Sequence, residues 1–293
     1  MEIFVTGASG YIGRAVCEAL KSAGYEVLGL ARSGDAAAKL AAIGVKAVSG
    51  DLSSLEVLRA TARGAEATIH CARQSGPDMG AMDRAAVEAM LDALAGTDKP
   101  FLYTSGVWVI GGTQGRVAGE MFPLHPPEMV SWRPAVERLV QDSREKKVCG
   151  VVIRPASVYG NHGGMVGAMV EQGRQEGVVR IAGDGENHWS FIHIGDLANL
   201  YRLAVEKAQA GALYVAAHGN ALAAKTVAAA CAKVAGPQVK VEYVPLDKAR
   251  ETMGPVADCL VLDQRVLSTK AARELGWKPS ANGVLQDLAL GTA

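Results

Sequence analysis

The sequence predicts an α/β protein: a doubly wound parallel sheet covered by helices on both faces, with a small lobe at its C-terminal end. Three observations carry this. Apolar runs alternate with helical patterns through the first 160 residues, the pitch of parallel strands joined by right-handed crossovers. Those runs are almost continuously apolar, as strands buried on both faces must be. The chain also opens with a short strand, Glu2–Val5, that runs directly into Thr6-Gly7-Ala8-Ser9-Gly10-Tyr11-Ile12-Gly13 and then into a helical pattern.

That opening is the first element to justify. Gly7 supplies a backbone angle closed to other residues, Gly10 admits a close approach of phosphate to the main chain, and Gly13 lets helix 11–23 lie against the strand. The helix start then presents free N–H groups and a partial positive charge. Gly7, Ser9, Gly10, Tyr11, Ile12 and Gly13 are therefore candidates to hold a dinucleotide pyrophosphate. A second strand, Glu26–Ala31, ends in Arg32-Ser33 with no acid at its tip. An acid there selects NAD through the ribose hydroxyls, whereas Arg32 suits a 2′-phosphate, with Arg14 as a second cation. NADP is the expected cofactor and NAD the alternative.

Helix 35–43 leads to strand Lys46–Ser49, and Asp51-Leu52 follow at the expected adenine edge, Asp51 doubling as N-cap of helix 53–62. Strand Ala67–Cys71, helix 79–95, strand Phe101–Thr104, helix 130–146 and strand Val148–Arg154 complete the alternation. Beyond Gly160 the rhythm changes. Segment 161–187 is glycine-rich and reads as irregular; Trp189–Ile194 reads as a short strand, and Asp196 as N-cap of helix Leu197–Lys207. A strand at Ala212–Ala216, an amphipathic helix within 221–235 and a strand at Val239–Val244 follow. The expected division is 1–160 with 188–216 for the dinucleotide, and 161–187 with 217–293 for a substrate lobe.

Thirty basic and thirty acidic residues cancel, and no like-charge block suggests nucleic acid. Five cysteines, Cys17, Cys71, Cys149, Cys231 and Cys259, are scattered without a C-x-x-C, which suits free thiols in a reducing compartment. With no basic n-region and no 18-residue apolar stretch, the expectation is a soluble cytoplasmic protein with a small-molecule partner and no membrane contact. His188 and His193 are five apart on one strand and face opposite sides, so no metal is expected.

Six motifs, in order, resemble the extended and atypical short-chain dehydrogenase/reductases, the NAD-dependent epimerase/dehydratase group. They are T-G-A-S-G-Y-I-G at 6–13, G-D-L at 50–52, I-H-C-A at 69–72, Y-T-S-G at 103–106, R-P-A-S-V-Y-G at 154–160 and W-S-F-I-H-I-G-D-L-A at 189–198, with R-E-L-G-W-K-P at 273–279 closing the chain. The resemblance implies a Rossmann-type domain whose strand ends add Cys71, Ala72, Arg73, Thr104, Pro155 and Val158 to the cofactor site. It also implies a Ser that polarises the substrate oxygen, matched by Ser105, and a Tyr with a Lys four residues on. Anchoring that helix at Glu137 puts Arg133 in the Lys place and Met129 in the Tyr place. Residues 106–150 contain no tyrosine. Arginine can bind ribose hydroxyls but is no base, and methionine has no proton to give.

Tyr159, His125 and Glu120 are the possible substitutes, though each also has an ordinary reading. Tyr159 can pack beneath the cofactor loop, and the other two can be exposed loop residues. The resemblance further implies that Trp189-Ser190 replaces the Arg-Asp that binds a nucleotide diphosphate in sugar-nucleotide enzymes. Trp108, Asn161, His188 and Trp189 are then candidates to border a smaller, less charged substrate. Three readings follow: an NADP(H)-dependent oxidoreductase acting on a small carbonyl, enone or hydroxy compound; an inactive NAD(P)-binding sensor or partner protein; or an epimerase/dehydratase. A homodimer through helices 79–95 and 130–146 is a further expectation.

Overall fold

The structure, a computed structural model, describes residues 1–74, 76 and 78–291. Strands β1 (Glu2–Thr6), β2 (Glu26–Ala31), β3 (Lys46–Ser49), β4 (Ala67–His70), β5 (Pro100–Thr104), β6 (Cys149–Pro155) and, much later, β10 (Leu213–Ala216) form one sheet. Its order is β10-β6-β5-β4-β1-β2-β3, and every pairing within it is parallel. The order reverses between β1 and β4, so the crossovers leave in opposite directions and open a crevice at the C-terminal strand ends.

Period-two alternation assigns the strand side chains to two cores. Ile3, Val5, Leu102, Val151 and Ile153 pack beneath α1 (Tyr11–Ser22) and α7 (Ile194–Lys207). Phe4, Phe101, Tyr103 and Val152 pack on the opposite face, beneath α3 (Leu55–Gly64), α4 (Met79–Leu94) and α5 (Arg133–Asp142). Between them, α2 (Gly34–Ala41) is capped by Ser33, whose Oγ accepts from the Ala36 amide at 3.2 Å.

Two small sheets lie apart from the main one, and the first joins residues 157–160 and 188–193, expected with the dinucleotide part, to 218–223 of the expected lobe. β7 (Ser157–Gly160) pairs in parallel with β9 (His188–His193), which pairs antiparallel with β11 (His218–Ala223). β8 (Val178–Ala182) pairs in parallel with β12 (Lys240–Val244). Helices α6 (Gly164–Glu176), α8 (Ala224–Ala235) and α12 (Val284–Leu290) pack over them around Tyr159, Phe191 and Trp189. Short helices α9 (Leu246–Met253), α10 (Val256–Leu260) and α11 (Lys270–Leu275) complete the chain.

Four local expectations need correction. Segment 161–187 is not irregular: it carries α6 and β8. Several of its glycines are packing positions: a Cβ on Gly173 would lie 2.6 Å from the Ala235 methyl of α8. Asp196 does not cap α7; the His193 ring Nδ1 accepts the Gly195 amide instead, while the Asp196 carboxylate, half a turn in, receives the amides of Ser280 and Ala281 at 3.0 Å each. Asp51 does not cap α3 either. It closes the turn before it, accepting from the Ser53 amide at 2.9 Å and from the hydroxyls of Ser53 and Ser54, the side-chain turn that Asp favours. Finally, α5 spans Arg133–Asp142 rather than 130–146, with 3₁₀ turns on either side. Pro134 in its first turn fixes that start, since proline is tolerated only where no intrahelical donor is needed.

Candidate active site

Two cavities meet over the crevice. The first, of about 300 Å³, is lined by Gly7, Ser9 and Gly10 from the opening turn, Leu30 and Arg32 from the end of β2, Gly50, Asp51 and Leu52, and Cys71 to Gln74 after β4. Gly7 has φ +68°, and a Cβ there would lie 2.7 Å from the carbonyl carbon of Cys71. A Cβ on Gly13 would sit 2.1 Å from the Gly7 carbonyl oxygen, so only glycine lets α1 approach the turn this closely. Helix α1 has no side-chain cap and no acid in its first turn. Its leading amides therefore lack a built-in acceptor and face a glycine-lined cradle, which fits an anionic diphosphate. Arg32 is exposed on the rim and makes no hydrogen bond or ion pair among the described residues.

The second cavity, of about 450 Å³, lies between the strand ends and the lobe. Tyr11 and Ile12 line it from α1, Ser105 to Val109 from the loop after β5, Val130 from the 3₁₀ turn before α5, Arg133 from the start of α5, and Pro155 to Val158 from β6 and β7. Gly164, Met165, Val256 and Leu260 close it from the lobe, and Arg73 lines both cavities. Ser105 is 8% exposed, and its hydroxyl finds no partner among the described residues. A buried, unsatisfied hydroxyl costs free energy unless something else meets it. A substrate oxygen in this cavity would do so. The Tyr11 hydroxyl donates to the Gly160 carbonyl at 2.7 Å, and burial, chiefly, raises its pKa.

Arg133 is held in place by the sheet. Its Nη1 donates to the Thr104 carbonyl at 2.9 Å, and its guanidinium lies 4.7 Å over the Trp132 ring. Behind it runs a chain of buried polar groups. Tyr103 donates to Asp83 at 2.8 Å, Asp83 meets His70 Nε2 at 3.1 Å, and His70 Nδ1 meets the Thr6 hydroxyl at 2.8 Å. Thr6 in turn accepts the Ala72 amide at 3.3 Å beside the first cavity. Residues 13, 20 and 64 positions apart thus tie the rims of both cavities together. Nothing in the local pattern of the sequence shows this pairing.

A family model described as the NAD dependent epimerase/dehydratase family matches residues 3–217. The chain belongs to that family. It is 33% identical over 296 residues to an uncharacterized protein of Saccharomyces cerevisiae, covering 98% of each chain. It is 25% identical over 262 residues to 4-hydroxy-2-methyl-3-oxo-4-farnesyl-3,4-dihydroquinoline-1-oxide ketoreductase of Stigmatella aurantiaca, covering 85% of this chain and 78% of that one. Its fold is that of a dTDP-glucose 4,6-dehydratase from Streptomyces venezuelae, solved with NAD bound, with TM-score 0.83 and 20% identity over 99% of this chain and 96% of that one.

Against this family frame, several expected site residues lie elsewhere. Tyr159 does not face either cavity. It is 2% exposed, its hydroxyl donates to the Asn282 carbonyl, and its ring stands edge-on to Phe191 and His193. Burial, before the nearby Asp287 and Asp196, raises its pKa, so it stays a neutral phenol in the lobe core. Trp189 also sits in the lobe core, its indole N–H donating to the Leu260 carbonyl at 2.9 Å, and lines neither cavity. His188 is occupied by Asp263, at 2.9 Å from its Nδ1, and clasps the 263–266 segment. Asn161, at φ +52°, lines neither cavity but borders a hollow with Arg14 and Glu18 that adjoins them through Ser9, Gly10 and Tyr11.

Thr104 lies beneath the floor. Its hydroxyl bonds to Tyr201 at 2.6 Å and donates to the Cys71 sulfur at 3.3 Å. Glu120 is a clasp on β10, accepting the Val215 amide at 3.2 Å, and His125 is exposed. Met129 does not line the second cavity, whereas its neighbour Val130 does. The lobe wall from Met165, Val256 and Leu260 was missed by sequence reasoning. Its only signal was the i, i+4 apolar pair of a five-residue helix.

Proposed function

We propose that this chain is an NADP(H)-dependent oxidoreductase that passes hydride between the nicotinamide and a carbonyl, enone or hydroxyl-bearing carbon of an apolar substrate. The observation that carries this reading is the pairing of a glycine-floored, uncapped helix start with an apolar chamber into which one unpartnered buried hydroxyl, Ser105, opens. The bound cofactor would supply or accept the hydride; the rest falls to the chain's own residues. The α1 amides hold the diphosphate, Asp51 accepts at the adenine edge, and Arg32 meets a 2′-phosphate. Ser105 and Arg133 donate to the substrate oxygen or the nicotinamide ribose, stabilising negative charge as it develops.

With methionine in the tyrosine place and Tyr159 buried in the lobe, the proton comes from water. A positioned acid is worth about 10²–10⁴ in rate, so turnover is expected to be slow on substrates whose oxygen must be protonated in the hydride step. The Stigmatella relative is named as a ketoreductase, which supports a ketone as the acceptor.

The test is calorimetric titration with NADPH and NADH, followed by NADPH oxidation over a panel of apolar ketones and enones. NADPH is expected to bind at least tenfold more tightly than NADH. Ser105→Ala is expected to lower kcat by about 10²–10³ with cofactor affinity unchanged. Binding of cofactor without turnover on any member of the panel would favour the sensor reading, for which Met129 is the supporting observation. Pairing of copies through α4 and α5 is proposed alongside, to be read by light scattering.

A further inference from the structure

We propose that the substrate is an apolar oxo or hydroxy acid whose carboxylate is taken by Arg73 at the junction of the two cavities. This rests on the oxidoreductase reading above and names its substrate class. The second cavity is walled by Ile12, Val107, Trp108, Val130, Val256 and Leu260, and among its described lining residues Arg73 and Arg133 are the only fully charged ones. Arg133 is held at the end of β5 through one nitrogen on the Thr104 carbonyl and the Trp132 face, and its other donors serve the substrate oxygen or the ribose as proposed above. Arg73 has no hydrogen bond or ion pair among the described residues, although it borders an apolar enclosure.

The Arg73 side chain is solvent-exposed and unpartnered among the described residues, so its guanidinium is free to meet an anion entering at the junction. A carboxylate matches its planar fork with two parallel hydrogen bonds. The position of the charge favours substrate over cofactor. Arg73 lines the second cavity together with Val256 and Leu260 of α10, which form the lobe wall. The diphosphate end is already served by the amides of α1 and the rim by Arg32. An acid held at Arg73 would send its alkyl portion along the apolar wall and bring its oxygen-bearing carbon toward Ser105.

The experiment uses the full chain loaded with NADP⁺ and the probes 3-hydroxyoctanoate and methyl 3-hydroxyoctanoate, titrated by calorimetry, with Arg73→Gln and Arg73→Lys as variants. Wild type is expected to bind the acid at least tenfold more tightly than the ester. Arg73→Gln is expected to remove that preference and change NADP⁺ affinity less than threefold, with Arg73→Lys keeping part of the preference. Equal affinity for acid and ester in NADP⁺-loaded wild type overturns the proposal alone. Loss of NADP⁺ affinity in Arg73→Gln as large as the loss for the acid assigns Arg73 to the cofactor and overturns it too. Absence of NADP⁺ and NADPH binding to wild type defeats the underlying reading instead.

Discussion

Glu137→Gln is expected to be among the most destabilising single changes in this chain. Glu137 on α5 and Arg154 on β6 are 2% and 3% exposed. They form a two-pronged pair, Nε at 2.9 Å and Nη2 at 2.5 Å from the carboxylate oxygens. The remaining nitrogen, Nη1, is buried with no partner among the described residues. The carboxylate therefore carries the whole burden of offsetting a buried guanidinium. Glutamine keeps the shape but removes the charge and turns one acceptor into a donor facing a donor. Removing one partner of a buried pair costs about 3–5 kcal/mol. At about 2–4 °C per kcal/mol, Tm should fall by roughly 6–20 °C.

Differential scanning calorimetry and urea unfolding measure this directly. Replacing both residues, Glu137→Leu with Arg154→Met, is expected to recover most of the loss, because no charge is then left buried. A loss below about 1 kcal/mol for the single variant would show that water reaches Arg154 and would refute the reasoning. So would a double variant less stable than the single one.

Three further outcomes follow from the geometry. Tyr159→Phe removes a hydroxyl that serves only the Asn282 carbonyl; it should cost about 0.5–1.5 kcal/mol of stability and leave kcat within twofold, and a hundredfold loss of turnover would reinstate Tyr159 in the chemistry. Gly13→Ala places a methyl 2.1 Å from the Gly7 oxygen, so calorimetry should show at least tenfold weaker cofactor binding. Gly34→Ala, with nothing within 4 Å of its Cβ, should leave binding unchanged. Burial raises the thiols of Cys71 and Cys259 to about 11 and that of Cys231 to about 12. The native state then keeps protons that the unfolded chain, with thiols near about 8.5, gives up. Stability should accordingly fall as pH rises from about 9 towards 11, read as a declining urea midpoint; an increase over that range would contradict the burial of these thiols.

The opening turn could be read from the sequence because its requirements are local. Gly7, Gly10 and Gly13 are constrained by atoms a few residues away, and the period-two and near-continuous apolar runs mark β1 to β6 to within a residue or two. Ser105 came from the family resemblance, which places a serine or threonine just after the fifth strand. Segment 161–187 was misread because Gly167 and Gly173 look like loop residues in one dimension. They are helix positions where a neighbour comes close, and that neighbour, Ala235 on α8 for Gly173, lies far along the chain.

What the sequence by itself determined is therefore the parallel sheet, the glycine cradle at its switch point and the loss of a tyrosine donor from the expected helix. The tertiary structure alone decided which side chains meet at the chamber. Tyr159 finds its acceptor 123 residues later, which turns it into the lobe core. Trp189 gives its indole N–H to the Leu260 carbonyl, 71 positions later, within the lobe core, and Arg73 shares the second cavity with Val256 and Leu260 of α10. Backbone geometry is set by near neighbours, whereas the direction a side chain takes into a cavity depends on packing between segments distant in the chain.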